Sequence, residues 1–459
     1  MNDIKVLVER RRHKGSTATE ISSIPSSLVG FKVFRGHVGY EEDFEVELSI
    51  HLELQRLHQS KGNHGNVKIC HLDSLDDLQN KAIQNGIRYP VSFITGNAGS
   101  GKTRTIKELV LSLINEGVKS KEIVICSLLG VVANKLKHLT GLKAYTVNRL
   151  LEYKDVEGAF KPLKSESNKL DCKFLIVDEA TLLCNELVLA LLVAINSGTH
   201  LIMVGDISQV QSIQPGAFFY SVVQANAYPK VNLKSNYRNN QSQIENLSLD
   251  IIAPFGVSNI FDYVSNNLSI QQTDSDSDTA LVIEKAISRA VDTGMELNQI
   301  QILTPVHQGS VGTLSINKLV SSAVGNQRGG LKVILKKTNY RLGLFNGQVG
   351  VCTRKQDLFS VIIQGKELCF DGVQHFDSTF ELAYALTPHR VQGAEFDLVI
   401  VVIPFNCSLI NTNWVYSAIT RTKKSLVIVG DAKQLAKINA DHRTTFLKLL
   451  TDSIENVIE

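Results

Sequence analysis

The sequence predicts an α/β protein with two parallel-sheet lobes, small β insertions in both, and a small β-rich module at the amino terminus. Three observations predict it. Apolar, β-type runs at 91–95, 122–127, 173–177 and 200–204 alternate with helix-period segments at 104–115, 130–139 and 185–196, the pattern of βαβ units around a parallel sheet. A second such series covers 281–320 and 380–435, broken at 330–378 by short strands and turns. Leu201-Ile202-Met203-Val204-Gly205-Asp206 is echoed by Leu426-Val427-Ile428-Val429-Gly430-Asp431, a short repeat that suits two related lobes.

Taken in order, residues 1–70 hold strand-like pieces (Ile4–Val8, Gly30–Phe34, Phe44–Leu48) separated by Ser- and Gly-rich turns, and the polar tract Gln59–Asn66 reads as a linker. Residues 71–240 form the first α/β domain. Its alternation is interrupted at 150–171 by turn residues around Phe160, which fits an inserted hairpin. Residues 241–459 form the second domain, with 330–378 as a small β-barrel insertion. At 459 residues the chain is too long for one ordinary core, and a formal net charge of +3 is too small to name a partner. The seven cysteines are scattered with no C-x-x-C pair, so neither a disulfide framework nor a zinc site is indicated. The start has no signal-peptide pattern, and the best apolar run, Leu398–Phe405, is far short of the roughly 20 residues of a spanning helix. A reducing, cytosol-like compartment and no membrane are the expectation.

Chemistry is concentrated in a few strand ends. The run Gly96-Asn97-Ala98-Gly99-Ser100-Gly101-Lys102-Thr103 follows an apolar strand and opens a helix, so it has the spelling and the context of a phosphate-binding loop. Glycines let backbone N–H groups curl around phosphates, Lys102 reaches the terminal phosphates, and the Thr103 hydroxyl suits Mg²⁺. Arg104 follows directly and joins the nucleotide set. Phe174–Val177 ends in Asp178-Glu179: Asp178 is placed to hold Mg²⁺ beside the phosphates, and Glu179 to orient or deprotonate the attacking water. Gln209 follows the next strand and is placed to sense the terminal phosphate. Arg238 and Arg421 lie far away in sequence and would neutralise charge on the transferring phosphoryl group if the fold brings them in. ATP and Mg²⁺ are therefore the expected cofactors.

This order of motifs resembles the superfamily 1 helicases, and among them the RecD and Dda-like branch, over roughly residues 74–435. Three longer segments carry the branch resemblance: Leu303–Gly309 with Asn317 downstream, Lys332–Ile334 with Phe345–Gly350, and Leu382–Phe396. The resemblance implies RecA-like lobes, an SH3-like fold for the second insertion, and a nucleotide site completed by Gln79 reading adenine, Tyr237 stacking near the base and Glu395 approaching from the second lobe. It also implies strand-backbone contacts at Ser127, Thr146, Thr304 with Pro305, Thr387 and His389. Hydroxyls and amides there position a phosphate chain without reading bases.

Two departures fall on the DNA side. The branch's proline-threonine-glycine is Ser127-Leu128-Leu129-Gly130 here, and its threonine-x-histidine is Thr146-Val147-Asn148, although Asn148 still offers a donor to phosphate. Phe160 reads either as a base-stacking residue at a hairpin tip or as a packing residue for that hairpin. The Arg10–Lys14 run reads as a phosphate contact or as a solvated basic turn. The expected activity is an ATP-dependent DNA helicase moving on single-stranded DNA, by resemblance 5′-to-3′, and acting at single-strand/duplex junctions. The alternative is a DNA-stimulated translocase that remodels protein–DNA complexes without unwinding. The amino-terminal module is a possible docking site for a protein partner.

Overall fold

A computed structural model describes residues 2–21, 30–62, 67, 71–235, 242–324, 330–339, 342, 344–355, 358–363 and 365–458. Two parallel sheets organise it. The first runs Lys230–Leu233, Val91–Gly96, His200–Gly205, Phe174–Asp178, Ile123–Ser127, Ala144–Thr146, every neighbour parallel. Its central strands are buried on both faces, which explains why they read as unbroken apolar runs instead of alternating ones. The second sheet runs Leu268–Gln272, Thr422–Gly430, Phe396–Ile403, Ile300–Leu303, Ala385–Leu386, again all parallel. In both sheets the carboxyl ends of the strands carry the motif residues, the ordinary place for a ligand crevice in an open α/β sheet.

The interruption in the first lobe is a two-strand hairpin, Lys154–Val156 with Ala159–Lys161. Its turn residues Glu157 and Gly158 both have positive φ, 56° and 79°, and Asp155 Oδ1 accepts the Gly158 N–H at 2.8 Å, so the tight primed turn is locally specified. In the second lobe, residues 331–382 form a five-stranded antiparallel sheet around Val333, Leu335, Phe359, Val361 and Phe370.

The amino-terminal module differs from the strand-rich expectation. It contains a small antiparallel sheet, with Phe31–Phe34 and His37–Tyr40 paired as a hairpin. However, Ile4–Val8 lies in the helix Asn2–His13, and Phe44–Leu48 lies in the helix Glu41–His58. A five-residue window of alternating Phe, Val and Leu fits period 2 as well as period 3.6. The longer register decides: Phe44, Glu47, Ile50, Leu54 and Leu57 are buried at helical spacing. Ile50, Leu54 and Leu57 enter the first lobe's core beside Leu187 and Leu191, so the module is packed onto that lobe.

The last helix, Phe446–Ile458, returns from the second lobe to the same place. Phe446 meets Phe44 edge-on at 5.2 Å, and Leu447 enters the first lobe's core. Glu47 is fully buried there and accepts from the Leu447 N–H at 2.7 Å, from Asn185 Nδ2 at 2.7 Å and from Thr17 Oγ1 at 3.0 Å. Burial pushes its carboxyl up to about 7 despite these donors. One side chain thus ties the module, the first lobe and the carboxyl-terminal helix together. The six described cysteines are all free, and among the described residues no helix is long and apolar enough to cross a membrane.

Candidate nucleotide cleft and nucleic-acid groove

The loop after Val91–Gly96 is shaped by glycine at two positions. Gly101 caps the helix Lys102–Asn115 in the left-handed region at φ 87°. At Gly96 a Cβ would lie 2.5 Å from Ser100 Oγ and 2.8 Å from Leu233 O, so a side chain there would force the loop open. Lys102 Nζ donates to Gly96 O and, at 3.0 Å, to Asn97 O, and stands 3.9 Å from Asp206 Oδ2. Arg104 is exposed and donates to Ser74 O, bracing the helix start against the segment before it. Gln79 is buried in the capping box of the helix Asp77–Arg88, its Oε1 accepting from the Asp76 N–H at 3.2 Å.

Asp178 and Glu179 stand at the end of their strand. Asp178 is buried, and Oδ1 accepts the Glu179 N–H at 2.9 Å. Burial and the neighbouring Glu179 charge hold its carboxyl well above the usual range, while Lys102 and Lys135 act in the opposite sense. Glu179 adopts a left-handed backbone, φ 53° and ψ 42°, costing on the order of 1–3 kcal/mol for a residue with a Cβ, a cost often found at functional sites. Its Oε2 is buried with no hydrogen-bond partner among the described residues.

The second lobe closes on this cleft through the helix Thr412–Ile419. The Ala98 N–H, in the phosphate loop, donates to Tyr416 Oη at 2.8 Å, and that hydroxyl donates to Asp206 Oδ2 at 3.1 Å. Gln209 Nε2 reaches the same carboxylate at 3.2 Å, and Gln392 Nε2 of the second lobe donates to Gln209 Oε1 at 3.1 Å. Ser417 Oγ accepts the Val210 N–H at 2.8 Å, and Asn413 Nδ2 donates to Gln209 O at 3.2 Å. The seam is buried and polar, so each member matters more than a surface contact would. Tyr416 is pushed well above its ordinary pKa, first by burial and then by the Asp206 charge, so it remains a neutral donor.

Arg421 follows that helix and is buried. It donates through Nε to Ser417 O at 3.1 Å and through its terminal nitrogens to Ala394 O and Thr420 Oγ1. The structure therefore brings Lys102, Asp206, Gln209, Tyr416 and Arg421 to one inter-lobe face. Glu395 is half-buried one residue from Ala394. Tyr237 and Arg238 lie outside the described residues. Sequence reasoning missed Asp206, Tyr416 and Gln392. The signal for Asp206 was present, because it follows its strand as Asp178 follows the adjacent one; a tyrosine five residues before Arg421 carried none.

A groove crosses both lobes beside this seam. A cleft of about 740 Å³ is lined from the first lobe by Thr146 and Asn148 and from the second by Asn346, Gly347 and Arg390. It shares Ser212, Ile213 and His389 with an adjoining cleft of about 1040 Å³ that Pro305 and Thr387 also line. His389 is largely buried, which depresses its pKa, and its Nε2 lies 3.3 Å from Gln211 O.

Two of the expected strand contacts behave differently, and Phe160 departs from the hairpin-tip reading. The Ser127 side chain is fully buried, with Oγ accepting from the Leu129 N–H at 3.4 Å, and Thr304 is fully buried with its hydroxyl on Val311 O at 2.8 Å. Both stand at buried strand ends where a hydroxyl serves the local turn. Phe160 is not at the hairpin tip, which Glu157 and Gly158 occupy. It lies on the flank, 65% exposed, with its ring 5.2 Å from that of Tyr153.

Residues 74–267 match the family described as AAA domain, and residues 382–429 match the UvrD-like helicase C-terminal domain. The ATP-dependent RecD2 DNA helicase of Deinococcus radiodurans is 28% identical over 74% of the chain. The chain is thus similar to the RecD-like superfamily 1 helicases. The RecD subunit of the RecBCD enzyme from Mycobacterium tuberculosis is 25% identical over 77% of this chain and 69% of its own length. The chain spans about half, 47%, of the RecD2 relative. Among solved structures, Bacteroides Pif1 bound to single-stranded DNA superposes with a TM-score of 0.46 at 18% identity, covering 79% of this chain and 93% of that one.

Proposed function

We propose that this RecD-like chain is an ATP-dependent DNA helicase that moves 5′-to-3′ on single-stranded DNA and unwinds duplex at a junction. One observation carries the reading: the phosphate loop of the first lobe is joined to the second lobe through Ala98, Tyr416 and Asp206, while a groove continuous across both lobes begins beside the same seam. Any change at the nucleotide that alters the seam changes the spacing of the groove's two walls. That is the mechanical requirement of a motor.

In this reading Lys102 binds the terminal phosphates and the backbone N–H groups of Gly96–Thr103 cradle them, with Arg104 bracing the helix. Glu179 orients or deprotonates the attacking water, and Gln209 registers the terminal phosphate. Arg421, with Arg238 in the same role, offsets charge on the transferring group. Gln79, Tyr237 and Glu395 complete the nucleotide site. Mg²⁺ suits the donors present, because Asp178 is a buried carboxylate that a cation would hold ionised and Thr103 stands in the first turn of the adjacent helix Lys102–Asn115. Bound there, it would neutralise phosphate charge. On the DNA side Thr146, Asn148, Pro305, Thr387 and His389 line the groove. The antiparallel 331–382 sheet is read as the SH3-like insertion of this branch, within a second RecA-like domain spanning 241–459. A reducing compartment suits its free thiols.

A tailed-duplex assay tests the proposal. ATP-driven strand displacement from a 5′ tail but not from a 3′ tail is the expected result. DNA-stimulated hydrolysis without displacement from either tail would replace it with the translocase reading.

A further inference from the structure

The Arg10–Lys14 run ends the amino-terminal helix Asn2–His13, and the fold carries that end to the groove. The Gly216 N–H donates to Gly15 O at 2.8 Å, and the Thr444 N–H donates to Ser16 Oγ at 3.2 Å. Thr17 and Ala18 donate back to Thr444 O at 3.0 and 3.1 Å. Arg443 lies against Gly15 and is fixed by the carbonyls of Ser212 and Gly216 at 2.8 and 2.9 Å. A Cβ at Gly15 would sit 2.4 Å from that guanidinium, and φ there is 89°, so glycine is what allows this approach. The helix end is therefore held in place by segments that flank the groove.

Its charges then divide. Arg12 turns away onto Asp43 at 2.7 Å and Glu42 at 3.0 Å. Arg11, His13 and Lys14 are exposed and line the 1040 Å³ cleft together with Pro305, Thr387 and His389. Lys437 of the second lobe lines it too, and its carboxylate, Asp441, is engaged by Arg443 at 3.1 Å. Among the described residues neither Arg11 nor Lys14 has an ion-pair partner.

We propose that Arg11 and Lys14, facing Lys437, form a phosphate-binding wall that extends the single-stranded DNA path beyond Thr387 and His389. The amino-terminal module is then a part of the track as well as a brace for the first lobe. Contacts of this kind hold the phosphate chain without reading sequence, and each one formed releases counterions. The inference rests on the groove being a nucleic-acid site.

The test is equilibrium binding of a fluorescent oligothymidylate over a salt series, with the intact chain and no nucleotide. Arg11→Ala/Lys14→Ala should weaken binding and make the slope of log K against log salt shallower by about 1.4, about 0.7 for each lost phosphate contact. ATP turnover without DNA should be unchanged. The control Lys5→Ala/Arg10→Ala removes the same charge from exposed positions of the same helix that do not line the cleft, and should leave the slope as in the wild type. Equal slopes in wild type and the Arg11/Lys14 variant overturn the wall while keeping the groove, and equal losses in both variants reduce it to bulk charge. A wild type that shows no salt-dependent binding overturns the groove reading itself.

Discussion

Both lobes end a parallel strand on Val-Gly-Asp, at Val204–Asp206 and at Val429–Asp431, and the two aspartates lead different lives. Each glycine is needed for packing: a Cβ on Gly205 would meet the Phe219 ring at 2.9 Å, and one on Gly430 would lie 2.1 Å from Ile403 O. The carboxylates diverge. Asp206 is 1% exposed, gathers Tyr416, Gln209 and the Ser208 N–H, and stands near Lys102. Asp431 is half-buried, with Gln272 Nε2 at 3.4 Å from its carboxylate. The difference comes from neighbours. The Asp206 strand pairs with the phosphate-loop strand and faces the other lobe, whereas the Asp431 strand lies between Phe396–Ile403 and Leu268–Gln272 within its own lobe. A repeated sequence preserves a strand end, and chemistry arises only where the fold sets a second surface against it.

That contrast can be broken in a graded series of steady-state ATP turnover measurements on folded variants. Lys102→Ala, which removes the cation proposed to bind the terminal phosphates, should abolish ATP turnover and unwinding while the melting curve stays cooperative. Asp206→Asn keeps the shape but removes the charge that gathers the seam, and should cost roughly 10- to 100-fold in turnover, the scale of a buried hydrogen bond to a charged group left poorly paired. Tyr416→Phe deletes only the hydroxyl, leaves the Ala98 N–H without that acceptor and should cost about 5- to 30-fold; a change in KM alone would assign the hydroxyl to nucleotide binding. Asp431→Asn should leave turnover within about twofold, as for a residue outside the site. If Asp431→Asn were as damaging as Asp206→Asn, the asymmetry between the lobes would be lost.

The candidate nucleotide cleft was the part the sequence pointed to most directly, because its residues sit within short runs tied to strand ends: Lys102, Asp178 and Gln209 are each within a few residues of an apolar strand. The DNA side was less so. Thr146 and His389 reach the groove, but Ser127 and Thr304 turn inward, and no local spacing reports which way a hydroxyl at a strand end faces. Phe160 lies two residues past the tip, because the hairpin's primed turn falls at Glu157-Gly158. The helix Glu41–His58 was hidden by a window too short to separate two periods. Tyr416 and Gln392 could not be found at all without the fold, since their partners lie 318 and 183 residues away.

The central claim is that hydrolysis happens between the lobes, and Arg421→Ala tests it most directly, with nucleotide binding and turnover measured on the same preparation. Retained ATP binding with turnover lowered on the order of a thousandfold or more is the predicted result, the scale of removing an arginine that stabilises phosphoryl transfer. Unchanged turnover would contradict it and confine the chemistry to the first lobe.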